Sequence, residues 1–126
     1  MFTTVRIVAA FTIAAMGTAA AAHPALVSSL PAANTTVAPT ATIELHFSES
    51  LEAAFSGGTL QMTSMPGMTN HAPMKMSGLT TKVGADGKTL IITTKAPMPA
   101  GGYTLDWYAV AADTHRVTGS FSFTVK

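Results

Sequence analysis

The chain has no cysteine. Disulfide staples, thiolate metal sites and the blue-copper type of electron-transfer centre, which needs a cysteine sulfur, are all excluded. Charge is scarce as well: charged residues make up 10% of the chain and the formal net charge is +1. Phosphate recognition needs a basic patch, so nucleic acid is excluded as a partner. Aromatic residues amount to 7%, with a single tryptophan. The longest apolar run is too short and too early for a confident membrane span.

What remains is a chain of 126 residues, 48% of them hydrophobic, with part of that bias at the front. Residues 1–22 carry one charge, Arg6, then the apolar run "IVAAFTIAAMG", then Ala20-Ala21-Ala22. Basic start, apolar middle and A-x-A end predict a secretory signal peptide cut after Ala22. An uncleaved anchor is the weaker reading of the same segment. Cleavage leaves one domain, residues 23–126, with no membrane span. Arg6 is lost from a total of 7 Lys+Arg, which leaves the basic residues equal in number to the 6 Asp+Glu. A cysteine-free exported domain of this size must be held by its core alone.

Strand signals dominate that domain. "TIELHFS" alternates strictly, with Ile43, Leu45 and Phe47 on one face and Glu44, His46 and Ser48 on the other. "GYTLDWYAV" puts Tyr103, Leu105, Trp107 and Ala109 inward, and "GSFSFTVK" does the same with Phe121, Phe123 and Val125. "KTLIITT" is rich in β-branched residues and follows an Asp86-Gly87 turn. "ALVSS" and "GTLQMT" are weaker candidates, and "ESLEAAF" (Glu49–Phe55) is the single helical one. Short strands with Pro and Gly between them predict an all-β Greek-key sandwich or barrel, immunoglobulin-like, of about seven strands.

Two places carry chemistry. The first is "MTSMPGMTNHAPMKM", which holds Met62, Met65, Met68, Met74 and Met76 around His71. Beyond the leader the chain has one more methionine, Met98. Methionines often fill gaps in cores, but core methionines are scattered among aliphatic residues. These sit among Pro, Gly, Thr, Ser and Asn. Soft, neutral thioethers select Cu(I) and need no deprotonation.

The second place combines "AADTHRVTG" with the new N-terminus. Asp113 and His115 lie two apart, which in extended chain points them the same way. Cleavage after Ala22 would make His23 the first residue, a chelate of α-amine and ring nitrogen. The amine's pKa of about 7.7–8.0 lets a metal displace its proton near neutrality. Pro24 has no amide N–H, so the metal cannot capture the second backbone nitrogen. His23, His115 and Asp113 together offer nitrogen and oxygen donors that suit Cu(II). Glu49 admits two readings, a turn residue or a carboxylate near that metal. His46, on the polar face of its strand beside Glu44, is read as an exposed non-ligand.

Taken in order, these segments closely resemble the CopC/PcoC family of periplasmic copper-resistance proteins. The resemblance runs from "HPALVSSLPAANTT" through "IELHFSESLEAAFSGGTLQMTSMPGM" and "HAPM" to "YTLDWYAVAADTHRVTGSFSFTVK". It implies a cupredoxin-like Greek-key β-barrel with a Cu(II) site and a Cu(I) site at opposite ends. It carries the Cu(II) ligands onto His23, Asp113 and His115, with Glu49 where the family has a carboxylate sometimes drawn in. It carries the Cu(I) ligands onto Met62, Met65, Met68, Met74 and Met76 with His71. It also implies a periplasmic copper carrier, not an enzyme, that serves other copper proteins and an inner-membrane copper transporter; a monomer is expected.

Two rival classes share some of these features. A polysaccharide monooxygenase uses a similar N-terminal histidine brace, but a copper-bound carboxylate would fill the position oxygen needs. The sole tryptophan, Trp107, also falls on an inward strand position and cannot form a flat glycan-binding surface. An immunoglobulin-like interaction module would leave the methionine cluster, the N-terminal histidine and the D-x-H pair as three coincidences.

Overall fold

The computed structural model describes residues 23–68 and 72–126. Residues 1–22, expected to be a signal peptide, and the expected Cu(I) ligand His71 lie outside the described residues. The alternating segments do form strands. They are β1 (Leu26–Leu30), β2 (Thr36–Val37), β3 (Thr42–Phe47), β4 (Gly57–Ser64), β5 (Met74–Lys75), β6 (Thr80–Val83), β7 (Thr89–Thr93), β8 (Gly101–Val110) and β9 (Arg116–Val125). One sheet has the order β1-β3-β7-β6 and the other β2-β9-β8-β4-β5. The described chain therefore has nine strands, where about seven were expected and six were assigned to particular segments. Two of the additions, β2 and β5, are two residues long and exist only through their partners β9 and β4. The third, β6, has three exposed residues of four and shows no alternation to read.

The sheets pack face to face. Ile43, Leu45, Phe47, Leu90 and Ile92 of the first sheet share one buried cluster with Leu60, Tyr103, Leu105, Trp107, Phe123 and Val125 of the second. This is the two-layer sandwich the alternation demands, because each sheet has one apolar face to bury. Trp107 sits edge-on to Phe47, with ring centroids 5.2 Å apart. Its indole lies directly over Gly119, the residue paired with it on β9. A Cβ at Gly119 would come within 2.3 Å of the indole ring, so only glycine fits there. Trp107 is thus an inner residue, as the alternation implied.

The Asp86-Gly87 turn precedes β7 as expected, and joins it to β6. Asp86 accepts hydrogen bonds from the Thr89 hydroxyl (2.7 Å) and from the Lys88 and Thr89 amides. The Thr89 hydroxyl is the main cause that holds the Asp86 carboxyl below its usual range. The helical candidate Glu49–Phe55 shrinks to a single 3-10 turn, Ala53–Phe55. Its first half is held in extended bridges, as Leu51 pairs with Ala111.

The register fixes where the functional segments go. β8 pairs with β4 from Tyr108↔Gly57 to Gly102↔Ser64, and with β9 along its whole length. The methionine segment leaves β4 at the Gly102 end of β8. The Asp113–His115 connection leaves β8 at the other end. A strand of ten residues rises about 30 Å, so the two segments lie at opposite ends of the sandwich.

Candidate metal centres

The connection between β8 and β9 is a tight hairpin. The Thr114 amide bonds the Ala111 carbonyl (2.9 Å) and the Ala111 amide bonds the His115 carbonyl (3.1 Å). Thr114 has φ of 72°, in the left-handed region that β-branched residues avoid. A β-turn followed by one left-handed residue is a common three-residue hairpin loop. Asp113 and His115 therefore converge through a turn and not through the extended chain expected. The Asp113 carboxylate accepts the His115 amide at 3.1 Å through Oδ1 and meets His115 Nδ1 at 3.0 Å through Oδ2. The backbone hydrogen bond from His115 is the main cause that lowers the Asp113 carboxyl below its ordinary value. The His115 side chain and the nearby His23 ring add to it.

His23 reaches the same place from the other end of the chain. Its ring centroid is 4.8 Å from that of His115. Both rings are exposed, while Pro24 is buried and anchors the segment. Glu49 lines a hollow of about 250 Å³ together with Ser50, Ala111, Ala112 and Asp113. The structure thus brings His23, His115 and Asp113 together and sets Glu49 on the adjoining wall. Among the described residues, no three His, Asp or Glu side chains already converge as a metal-holding group. With Nδ1 of His115 held by Asp113, Nε2 is the nitrogen left to face a metal, and the carboxylate fixes the ring in the manner common around metal-bound imidazoles.

His46 stands elsewhere. Its Nε2 lies 3.4 Å from Glu44 and its Nδ1 3.1 Å from the Thr89 hydroxyl. It spends both nitrogens on the outer face of β3, in keeping with a non-ligand.

At the far end, the methionines divide. Met65-Pro66-Gly67-Met68 is a β-turn closed by the Met68 amide on the Met65 carbonyl (3.0 Å), with Gly67 at φ of 78°. Pro followed by a left-handed Gly matches a type II turn. It leaves Met65 and Met68 39% and 53% exposed, and Met74 on β5 is 56% exposed. Met76 is half-buried and packs on the core. Met62 is only 5% exposed and belongs to the core, as does Met98 at 0%. The alternation in "GTLQMT" already carried that signal, since it places Leu60 and Met62 on one face. Direct pairing of Met62 with Met74 across β4 and β5 nevertheless sets exposed Met74 beside a core residue.

Comparison with known proteins places the chain in a family. An all-β sandwich with exposed imidazoles at one end and exposed thioethers at the other offers candidate metal donors at both. The CopC domain matches residues 26–126, and the chain belongs to the CopC family. It is 52% identical over 107 residues to copper resistance protein C of Pseudomonas syringae pv. tomato, covering 85% of this chain and 83% of that one. With copper resistance protein C of Escherichia coli it shares 49% identity over 107 residues, covering 85% and 84%. The crystal structure of PcoC, a methionine-rich copper resistance protein from Escherichia coli, superposes with a TM-score of 0.75 at 47% identity. That match covers 83% of this chain and all of PcoC. Among the described residues no helix is long and apolar enough to cross a membrane.

Proposed function

We propose that this protein is an exported copper carrier with a Cu(II) end and a Cu(I) end, acting in the periplasm after removal of residues 1–22. Membership of the CopC family makes copper the metal and copper resistance the setting. The observation that carries the Cu(II) end is the meeting of the His23 and His115 rings at 4.8 Å beside the Asp113 carboxylate. Cleavage adds the α-amine of His23. Each Asp113 oxygen keeps a second lone pair, so the carboxylate can orient His115 and bind metal at once. Glu49 stands by on the wall of the hollow.

The Cu(I) end draws on Met65, Met68 and Met74, whose sulfurs lie on exposed chain, with His71 in the same segment. Met62 and Met76 support them from the core side. Thioethers on a loop can exchange one at a time, which suits transfer to other periplasmic copper proteins and to an inner-membrane copper transporter. The role is transport and not catalysis, and the carrier acts as a monomer.

Titration of the mature His115→Ala variant with each oxidation state tests this reading. Cu(II) affinity should fall about a hundred-fold or more, since even supporting groups around a metal are worth 10- to 100-fold. Cu(I) affinity should stay as in the parent. Unchanged Cu(II) affinity would sink the assignment.

A further inference from the structure

Among the described residues, no backbone hydrogen bond joins the two segments proposed to carry the Cu(II) donors. They are tied to a third segment, Ser48–Leu51, which runs between them. On one side the Ala25 amide donates to the Ser48 hydroxyl (3.0 Å) and the Ser48 amide donates to the Ala25 carbonyl (2.9 Å). On the other side the Ala112 amide donates to the Ser50 carbonyl (3.2 Å), and Leu51 pairs with Ala111. His23 stands two residues before Ala25, and Asp113 directly follows Ala112. The span between the two imidazoles is therefore set by one short strap.

Most of that strap acts through its backbone, which any residue supplies. Ser48 is the exception. Its hydroxyl holds the Ala25 amide, and Pro24 beside it has no amide to offer. Loss of the hydroxyl would free the Ala25 amide and leave Pro24 packing and one backbone bond to aim His23.

We infer that Ser48 is a positioning residue of the Cu(II) end, holding His23 at the span from His115 that the metal requires. This rests on the reading of His23 and His115 as Cu(II) donors. Ser48 does not touch the metal itself. One neutral hydrogen bond of this kind corresponds to about a five-fold change in an equilibrium.

The test uses the mature chain in four forms: parent, Ser48→Ala, Ser48→Thr and His115→Ala. For Ser48→Ala, Cu(II) should dissociate about five-fold faster, and the Cu(II) electron paramagnetic resonance spectrum should shift. Its copper-free melting temperature should fall by no more than the loss of one exposed hydrogen bond allows, and its Cu(I) affinity should match the parent. Ser48→Thr keeps the hydroxyl and should restore the parent rate and spectrum. Parent-like Cu(II) release and spectrum in Ser48→Ala, with His115→Ala still losing Cu(II), would overturn the role of Ser48 alone. Parent-like Cu(II) binding in His115→Ala would overturn the donor reading beneath it.

Discussion

At one end of β8 the proposed donors are nitrogens and a carboxylate held by a tight hairpin, a buried proline and a bonded strap. At the other end they are thioethers on a Pro-Gly turn and a two-residue edge strand, with Met65, Met68 and Met74 39–56% exposed. The difference follows from the chemistry of each donor set. A Cu(II) site of nitrogen and oxygen ligands is tetragonal and needs donors aimed in fixed directions. Cu(I) accepts soft sulfurs without that demand, and unbranched methionine side chains adapt to it. Between the two ends lies the shared core around Trp107 and Leu105.

The largest way to sharpen this contrast is to spoil the N-terminus. A chain that keeps Ala22 ahead of His23 separates the α-amine from the ring. Its Cu(II) affinity should drop by about a hundred-fold or more, at or above the upper end for loss of a supporting group. Its Cu(I) affinity should stay constant. Paired titrations of the two chains check this, alongside the intact mass of the exported protein.

Acid should separate the ends next. Between pH 7 and 5 protons compete for the amine and imidazole nitrogens but not for thioethers. Asp113 has its carboxyl lowered in the fold by the His115 hydrogen bonds, so it stays ionised throughout that window. Its stabilising pairing is fully present above the ordinary aspartate pKa of about 3.9 and is lost only as pH falls through the lower folded value. Cu(II) should therefore be released in that window through the nitrogens, by about ten-fold or more in affinity, while Cu(I) is retained. Competition titrations at the two pH values measure both.

A change in the middle of the molecule should not discriminate. Gly119→Ala drives a methyl into the Trp107 indole and should cost about 1–3 kcal/mol of stability. Urea unfolding measures the loss, and both copper affinities of the folded fraction should fall together if at all. The smallest expected effect belongs to the hairpin. Thr114→Gly relieves the left-handed backbone at φ of 72° and should stabilise the fold by about 0.5–1 kcal/mol, net of glycine's extra freedom when unfolded. The same freedom should loosen Cu(II) slightly, which thermal melts and Cu(II) titration together detect.

Much of this was legible in the sequence, and the reasons are particular. Strict alternation exposed β3, β8 and β9, because each strand has one face in the core and one in water. Strand β6 escaped because its side chains are almost all exposed, and β2 and β5 because they exist only through their partners. The same alternation marks Met62 as a core residue, a signal masked by the density of methionines around it. Asp113 and His115 do meet, but a left-handed Thr114 brings them together where the two-residue spacing alone implies extended chain. The approach of His23 to His115 carries no local signal, because it depends on the sheet register. Ser48 was invisible for the same reason: a serine on the polar side of a strand has no mark until its partner, Ala25, is seen across from it.

The most direct test of two separable ends is a crossed titration. His115→Ala and a Met65→Leu, Met68→Leu, Met74→Leu variant are each titrated with Cu(II) and with Cu(I). The expected result is a double dissociation, in which the first variant loses only Cu(II) and the second only Cu(I). Loss of both affinities in either folded variant would contradict the division of labour between the ends of β8.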